Sequence, residues 1–185
     1  MSVRIVQYKW AGSWRPFSIT VPCGECSVTE GVIADTIEKE FSQESVSFEV
    51  LPWLTYWWRP LIRGGWHAPI VLVNNRVISQ GSVLDRGLLA YHIRKELAKG
   101  YEIPENATVV FTKPGCSFCA RVKTLLKKAG ITYEERDIIA NPLFAHQLFT
   151  LTKRFFPRNK PVTTPQVWLK GRYVGGFEEV DKMYK

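Results

Sequence analysis

The four cysteines of this chain are the residues best suited to chemistry. They occur in two equal spacings, Cys23-Gly24-Glu25-Cys26 and Cys116-Ser117-Phe118-Cys119. Two thiols so spaced can exchange with a disulfide, the first attacking the substrate and the second displacing it from the mixed disulfide. Each motif is followed at similar distance by a proline that opens an apolar segment, Pro69 and Pro165, and each proline by an arginine seven residues on, Arg76 and Arg172. Finding the arrangement twice argues for two redox units rather than chance. A zinc site built from all four thiols is disfavoured, because the two pairs lie much further apart than the roughly 15–20 residues of a zinc ribbon.

In the second half, residues 108–112 read as a buried strand and Lys113-Pro114-Gly115 as the turn that leaves it. A helix is expected from about Cys119 to Ala129 with Val122, Leu125, Leu126 and Ala129 inward, then a strand over 132–138. Asn141-Pro142 signals the start of another helix, carrying Phe144, Leu148, Leu151 and Phe155 inward and closed by Pro157. Strands over 166–170 and 172–174 form a hairpin around Lys170-Gly171, and a short helix follows. This β-α-β-α-β-β order sets Cys116 just before a helix. Unpaired N–H groups and the helix dipole favour a thiolate there, and Lys113 adds positive charge. Cys119 lies a turn further in, shielded from solvent, so Cys116 is the expected nucleophile and Cys119 the resolving thiol.

Lys113-Pro114-Gly115-Cys116-Ser117-Phe118-Cys119, Thr163-Thr164-Pro165 and Gly175-Gly176-Phe177-Glu178-Glu179 together resemble a glutaredoxin over about residues 107–182. The resemblance implies a thioredoxin-type fold, glutathione as reductant and co-substrate, and glutathione mixed disulfides or protein disulfides as substrates. It implies Lys113 facing the glycine carboxylate of glutathione, and Thr164, before a cis Pro165, offering its backbone to the cysteinyl part. Gly176, Phe177 and Glu178 would receive the γ-glutamyl end, with Phe118 beside the nucleophile. Two positions depart from the family pattern: Ser117 stands where proline is frequent, and Glu178 where Asp, Ser or Thr is usual.

The first half reads as strands over 46–51, 70–73 and 77–79, with Asn74-Asn75 as a turn. Its first strand is either Ile5–Lys9 or Phe17–Val21. A helix follows Cys26 to about Phe41, with Val32, Ile33, Ile37 and Phe41 inward, and another spans Val83 to Ala98, with Leu84, Leu88 and Tyr91 at helical spacing. This half resembles the thioredoxin superfamily, with His67-Ala68-Pro69 at the cis-proline position. Ser79-Gln80 stand where the second half has Gly175-Gly176, so no comparable glutathione site is expected. Cys23 is the expected nucleophile and Cys26 its resolver. Glu25 between them disfavours a thiolate and makes a more reducing dithiol. His67 reads equally well as an acid–base neighbour or as a structural imidazole. Residues 53–66 hold four of the seven tryptophans, with Arg59 and Arg63. They read mainly as core and packing surface, and otherwise as an exposed aromatic patch for a protein substrate or for the second domain.

The fold class expected is α/β: two tandem thioredoxin-like, glutaredoxin-type domains, each a central mixed sheet flanked by helices. They occupy residues 1–100 and 107–185, joined by a short linker over about 99–106. The layout resembles tandem protein disulfide oxidoreductases. Net charge is +8, made of +2 in residues 1–100 and +6 in 101–185. No helix-turn-helix, RNP or finger pattern accompanies it, so no nucleic-acid partner is expected, and Lys123, Lys127 and Lys128 read as a solvated helix face. No apolar run reaches the length of a membrane span, and the start lacks a signal-peptide h-region, so a cytoplasmic location is expected. The leading expectation is a glutathione-dependent thiol–disulfide oxidoreductase with the Cys23–Cys26 dithiol as relay or second active site, and no metal. The alternatives are an iron–sulfur carrier holding [2Fe–2S] on Cys116 with glutathione, or a glutathione-independent disulfide oxidoreductase.

Overall fold

The computed structural model describes residues 2–19, 22–157 and 161–184. The chain divides into two units, Met1–Leu97 and Ala98–Lys185. In the first, β1 (Val3–Lys9) runs parallel to β4 (Val46–Pro52) and antiparallel to β5 (Ile70–Val73), which pairs with β6 (Arg76–Gln80). In the second, β7 (Val109–Thr112) runs parallel to β8 (Glu134–Asp137) and antiparallel to β9 (Gln166–Leu169), which pairs with β10 (Arg172–Gly175). Strand orders are therefore β4-β1-β5-β6 and β10-β9-β7-β8, the same topology read from opposite edges. Two mixed sheets, each with helices on it, make tandem thioredoxin-like domains.

The correspondence extends to register. Val71 faces Ser79 in one hairpin and Val167 faces Gly175 in the other, each with an irregularity alongside. Both turns use two residues of positive φ, Asn74-Asn75 and Lys170-Gly171, whose twist suits a two-residue hairpin. The central strands are buried on both faces: all four residues of β5 and all four of β7 are interior. Sheets covered on both sides demand such continuous apolar runs.

The first strand is Val3–Lys9, since Phe17–Ile19 instead pairs with Gly12–Trp14 as a separate hairpin, β3 with β2. Thr20 and Val21 of the alternative strand lie outside the described residues. Helices α1 (Gly24–Glu40) and α5 (Ser117–Lys128) begin directly after the leading cysteines and include the second cysteine of each pair. Ile33 and Phe41 of the first, and Val122 and Leu126 of the second, enter the cores, while Ala129 is exposed at the end of its helix.

Two expected helices differ in phase or extent. The helix after β6 is α4 (Arg86–Ala98), started by Asp85, whose side chain accepts from the Leu88 N–H. Leu84 thus precedes the helix, and the inward face is Leu89, Ala90 and Ile93, with Leu88 and Tyr91 at the surface. Helix α6 (Pro142–Thr152), capped by the Asn141 side chain, ends before Phe155. That ring stacks on Tyr173 at 4.2 Å.

The stretch expected to link the units packs into the second one. Tyr101 and Ile103 join the core of Val109, Phe111, Leu148 and Trp168. Gly171 N–H donates to the Ala107 carbonyl at 2.8 Å. A Cβ on Gly171 would stand 2.6 Å from Glu105 Cα, so the close approach requires glycine.

Where the second unit has α6, the first has two one-turn helices, α2 (Trp53–Tyr56) and α3 (Trp58–Leu61). Turns this short cannot direct every apolar ring to one side. Trp53 packs under the sheet, but Trp57, Trp58 and Trp66 are exposed, contrary to the reading of this stretch as mainly core. A short C-terminal helix, α7 (Phe177–Met183), seats Val180 in the second core. No helix among the described residues is long and apolar enough to cross a membrane.

Candidate active site

Each leading cysteine is an N-cap. Cys116 is extended (φ −89°, ψ 106°) and its Sγ accepts the Cys119 N–H at 3.1 Å; Cys23 does the same with Cys26 at 3.3 Å. A helix start leaves N–H groups without intrahelical partners, and a side-chain acceptor at the cap takes one of them. Here that acceptor is sulfur, so the local rule that begins the helix also sets a thiol at its positive end. Cys119 and Cys26 fall on the inner side of the first turn and are buried, while Cys116 and Cys23 are half-buried.

In the second unit, Cys116 and Cys119 are joined as a disulfide. Cys116 faces the loop before β9: its Sγ lies 3.6 Å from the Thr164 carbonyl oxygen, with the Thr164 hydroxyl 3.9 Å away. The Thr164–Pro165 peptide is cis. Around this point opens a groove of 890 Å³ lined by Lys113, Cys116, Phe118, Thr164, Pro165, Gly176, Phe177 and Glu178. Every residue singled out in sequence for glutathione borders it; Cys119 borders a second depression of 470 Å³, which Cys116 also lines together with Lys123 and Glu135. The apolar part of the groove's lining includes Ile138, Phe156, Val162 and Tyr173, and the charged part Lys113, Glu178 and Glu179. Lys113 and Glu178 are both exposed.

Gln166 and Arg121 escape a motif reading, and Glu179, though inside the last motif, is given no role by it. Gln166, buried at 2% exposure, donates from Nε2 to the Thr163 carbonyl at 2.8 Å and accepts the Tyr173 hydroxyl at 2.6 Å. This fixes the loop that presents Thr164. Its one signal in sequence is an amide inside an otherwise apolar strand. Arg121 lies over the Phe177 ring at 4.1 Å, beside the Phe118–Phe177 contact at 5.7 Å, and holds the rim rings together. Glu179 accepts the Gly176 N–H at 2.9 Å, which shapes the turn into α7. Gly175 there has φ +124°, and a Cβ on it would meet Glu179 at 3.0 Å.

On the other flank of α5, Lys123 pairs with Glu135 at 2.9 Å, and Glu135 also accepts the Thr112 hydroxyl at 2.8 Å. The Lys123 ammonium, first, and Thr112 hold the Glu135 carboxyl below the usual range. Lys123 is therefore a partnered side chain on the helix face that sequence reads as solvated.

The first unit repeats the frame with a different side chain at the corresponding place. Ala68–Pro69 is cis, as at Pro165. Gln80, in the register place of Gly176, accepts the Trp66 N–H at 2.9 Å and donates to the Gly64 carbonyl at 3.3 Å. Its side chain braces the loop before the cis proline, where the second unit has a glycine. The His67 ring lies against Gly81, 2.9 Å from where a Cβ would stand. Cys26 accepts the Trp10 N–H at 3.3 Å, and Gln7 beneath it donates to the Cys26 carbonyl at 2.7 Å. Burial, with smaller contributions from Cys23 and Glu25, pushes the Cys26 thiol up to about 11 despite the Trp10 donor. Charge on a buried group is disfavoured, so this thiol stays protonated at neutral pH. No cluster of His, Cys, Asp and Glu suited to a metal occurs among the described residues.

The family model described as Glutaredoxin matches residues 108–174. Probable monothiol glutaredoxin 2 of Rickettsia felis is 32% identical over 88 residues, covering 45% of this chain and 78% of that protein. The hybrid peroxiredoxin hyPrx5 of Haemophilus influenzae is 32% identical over 90 residues, 49% of this chain and 34% of that protein. Two Arabidopsis thaliana relatives are covered over only 17% and 14% of their lengths, so this chain spans about a third or less of several curated relatives it matches. Among solved structures, a buckwheat glutaredoxin in complex with glutathione is 26% identical, with 51% of this chain and 77% of that chain covered and a TM-score of 0.37. With a glutaredoxin covered over 78% of its length at 32% identity, and the family model running from the dithiol strand through the cis-proline hairpin, the chain belongs to the glutaredoxin family.

Proposed function

We propose that the protein is a glutathione-dependent thiol–disulfide oxidoreductase whose working site is the groove at Cys116. The observation that carries this reading is the convergence, on one 890 Å³ groove, of a helix-capping thiol, a cis-proline loop and side chains of opposite charge, Lys113 and Glu178. Glutathione has a carboxylate at its glycine end and a carboxylate and ammonium at its γ-glutamyl end. Lys113 suits the first. Glu178 suits the ammonium of the second, its longer side chain reaching from a position where the family uses a shorter one. The Thr164 backbone takes the cysteinyl part, with its sulfur near Cys116.

The chemistry is two-electron exchange. The Cys116 thiolate attacks the glutathione sulfur of a mixed disulfide, the S–S bond breaks, and the substrate leaves as a thiolate that takes a proton. A second glutathione then attacks the Cys116–glutathione disulfide and is released as oxidised glutathione. With protein disulfides as substrates, Cys119 instead attacks the mixed disulfide and closes the Cys116–Cys119 bond. Trapping glutathione on Cys116 in the Cys119→Ser protein and mapping amide shifts tests the assignment. Shifts confined to Lys113, Thr164 and Gly176–Glu178 support it, and shifts centred on the first unit refute it.

The Cys23–Cys26 dithiol serves as a second active site or as a relay. Its capped Cys23 and protonated, buried Cys26 have the same division of labour as the second pair. If the Cys23→Ser/Cys26→Ser protein keeps every reductase activity unchanged, this part of the reading fails. Iron–sulfur transport is the competing reading, favoured by Ser117 after the nucleophile and by the similarity to a monothiol glutaredoxin. With the Cys116–Cys119 disulfide reduced, Cys116 is the accessible thiol of the pair and Cys119 is buried, so a [2Fe–2S] cargo of four thiolate ligands would draw on two protein copies and two glutathiones. Anaerobic reconstitution that yields a coloured dimer favours transport over reduction.

A further inference from the structure

The first unit departs from the second in two segments, and both departures are aromatic. Between β1 and its dithiol it inserts the β2–β3 hairpin, where the second unit has only the turn at Lys113-Pro114-Gly115. In place of a long helix it has α2 and α3. The two segments are built onto each other. The Ser13 N–H donates to Thr55 Oγ1 at 3.1 Å, and the Leu54 N–H to the Ala11 carbonyl at 3.0 Å. Gly12, at φ +110°, passes so close that a Cβ would stand 2.5 Å from Thr55 Oγ1.

This platform nonetheless points its rings outward. Trp14 is 55% exposed, Phe17 61%, Trp58 49% and Ile62 70%, while Trp14 touches Phe17 and Trp57 at 6.3 Å between ring centres. Large exposed apolar area on an ordered scaffold marks an interaction surface. Residues 10–19 and 52–67 contain no Asp or Glu, but they contain Arg15, Arg59 and Arg63. Arg59 lies over the Tyr56 and Trp58 rings at 4.6 and 5.4 Å. Aromatic rings and arginine are what protein interfaces concentrate. The surface is also continuous with the dithiol, because the residue that opens the insertion, Trp10, gives its N–H to Cys26 Sγ and stacks its ring on Trp53 at 5.1 Å.

From this geometry we infer that the β2–β3 hairpin and α2–α3 form a docking surface for disulfide-bearing polypeptides whose disulfide is flanked by acidic and apolar residues. Such a segment lies on the rings with its carboxylates at Arg59 and Arg63 and brings its disulfide to Cys23. The inference rests on the reading of the Cys23–Cys26 dithiol as a second active site and names its substrate. In the step, Cys23 attacks the peptide disulfide and Cys26 displaces the peptide. One peptide disulfide becomes two thiols, and one Cys23–Cys26 disulfide forms. An anionic membrane would meet the same charges, but it has no disulfide to bring to the dithiol beside the rings.

The test uses the full chain carrying Cys116→Ser and Cys119→Ser, reduced, so that only the first dithiol exchanges. Its oxidation is timed with hydroxyethyl disulfide, with a disulfide peptide flanked by Glu and Leu, and with the same peptide flanked by Lys and Leu. The acidic peptide is expected to react at least tenfold faster than the basic one. Arg59→Glu/Arg63→Glu should reverse that order, and Ile62→Ser should lower the ratio of the acidic-peptide rate to the small-disulfide rate. Equal rates for the two peptides while hydroxyethyl disulfide reacts overturn the docking surface alone. Equal peptide rates with sedimentation on phosphatidylserine vesicles, lost in the double Arg variant, assign the patch to membranes instead. No exchange with any of the three disulfides removes the second active site, and the docking surface with it.

Discussion

Replacing Gln166 by Leu isolates what one buried amide does for the groove. Its side chain makes two hydrogen bonds, to the Thr163 carbonyl at 2.8 Å and from the Tyr173 hydroxyl at 2.6 Å. A typical bond of this kind contributes about 1 kcal/mol net. Leu fills a similar volume and adds no polar atom, and Thr163 is exposed, so its carbonyl regains water. What is lost is the fixing of the Thr163–Pro165 loop, about 1 kcal/mol, which corresponds to a rise of about fivefold in KM for a glutathione mixed disulfide. The value of kcat should stay within about twofold, because α5, not this loop, holds Cys116. Tyr173→Phe acts differently: it leaves Gln166 Oε1 buried without a partner, at a cost of about 1–3 kcal/mol of stability. In the Gln166→Leu background the same change should cost almost nothing, since the acceptor is gone. Steady-state kinetics and denaturant unfolding of the four proteins measure the cycle. Additive effects of the two substitutions, or a fall in kcat with KM unchanged, would refute the reasoning.

Three further outcomes are expected. Cys116→Ser should abolish turnover of small glutathione mixed disulfides, whereas Cys119→Ser should keep it and lose protein-disulfide reduction; peptide assays of both variants distinguish the roles. Because burial holds the Cys26 thiol neutral with a pKa of about 11, its alkylation in the reduced protein should rise about tenfold per pH unit from pH 7 towards 11. A plateau near pH 8, read by mass spectrometry of the Cys26 peptide, contradicts that burial. Gly12→Ala forces a Cβ to within 2.5 Å of Thr55 Oγ1 at φ +110° and should cost about 1–3 kcal/mol locally. Hydrogen exchange at the Leu54 N–H, bonded to Ala11, should speed up about tenfold or more.

What was legible in sequence was whatever a local rule determines. A thiol at the end of a turn, an apolar run and Asn141-Pro142 each fix a conformation within a few residues, so the two dithiol helices and the paired hairpins at Asn74-Asn75 and Lys170-Gly171 could be placed. Phase was harder. Leu84, Leu88 and Tyr91 share a helical spacing, but Asp85 starts the helix between the first two; Leu84 is core from outside the helix, and Leu89 and Ile93 rather than Leu88 and Tyr91 are its inward residues. Tyr101 and Ile103 sit in a stretch with a linker's composition, and only the tertiary contact with Phe111 and Trp168 makes them core. The tryptophans of 53–66 read as core because hydrophobicity carries no sign of direction; the one-turn helices leave three of the four exposed. Gln166 and Gln7 were passed over because a polar residue in a strand says nothing about its partner until the strand's neighbours are known.

Glutathione-dependent turnover of a small mixed disulfide by the wild-type chain, Cys116→Ser and Cys23→Ser tests the central claim most directly. The account predicts full loss with Cys116→Ser and retention with Cys23→Ser, because the open groove borders Cys116 alone and Gln80 braces the corresponding place in the first unit. Loss with Cys23→Ser and retention with Cys116→Ser, or no turnover in the wild type, would contradict it.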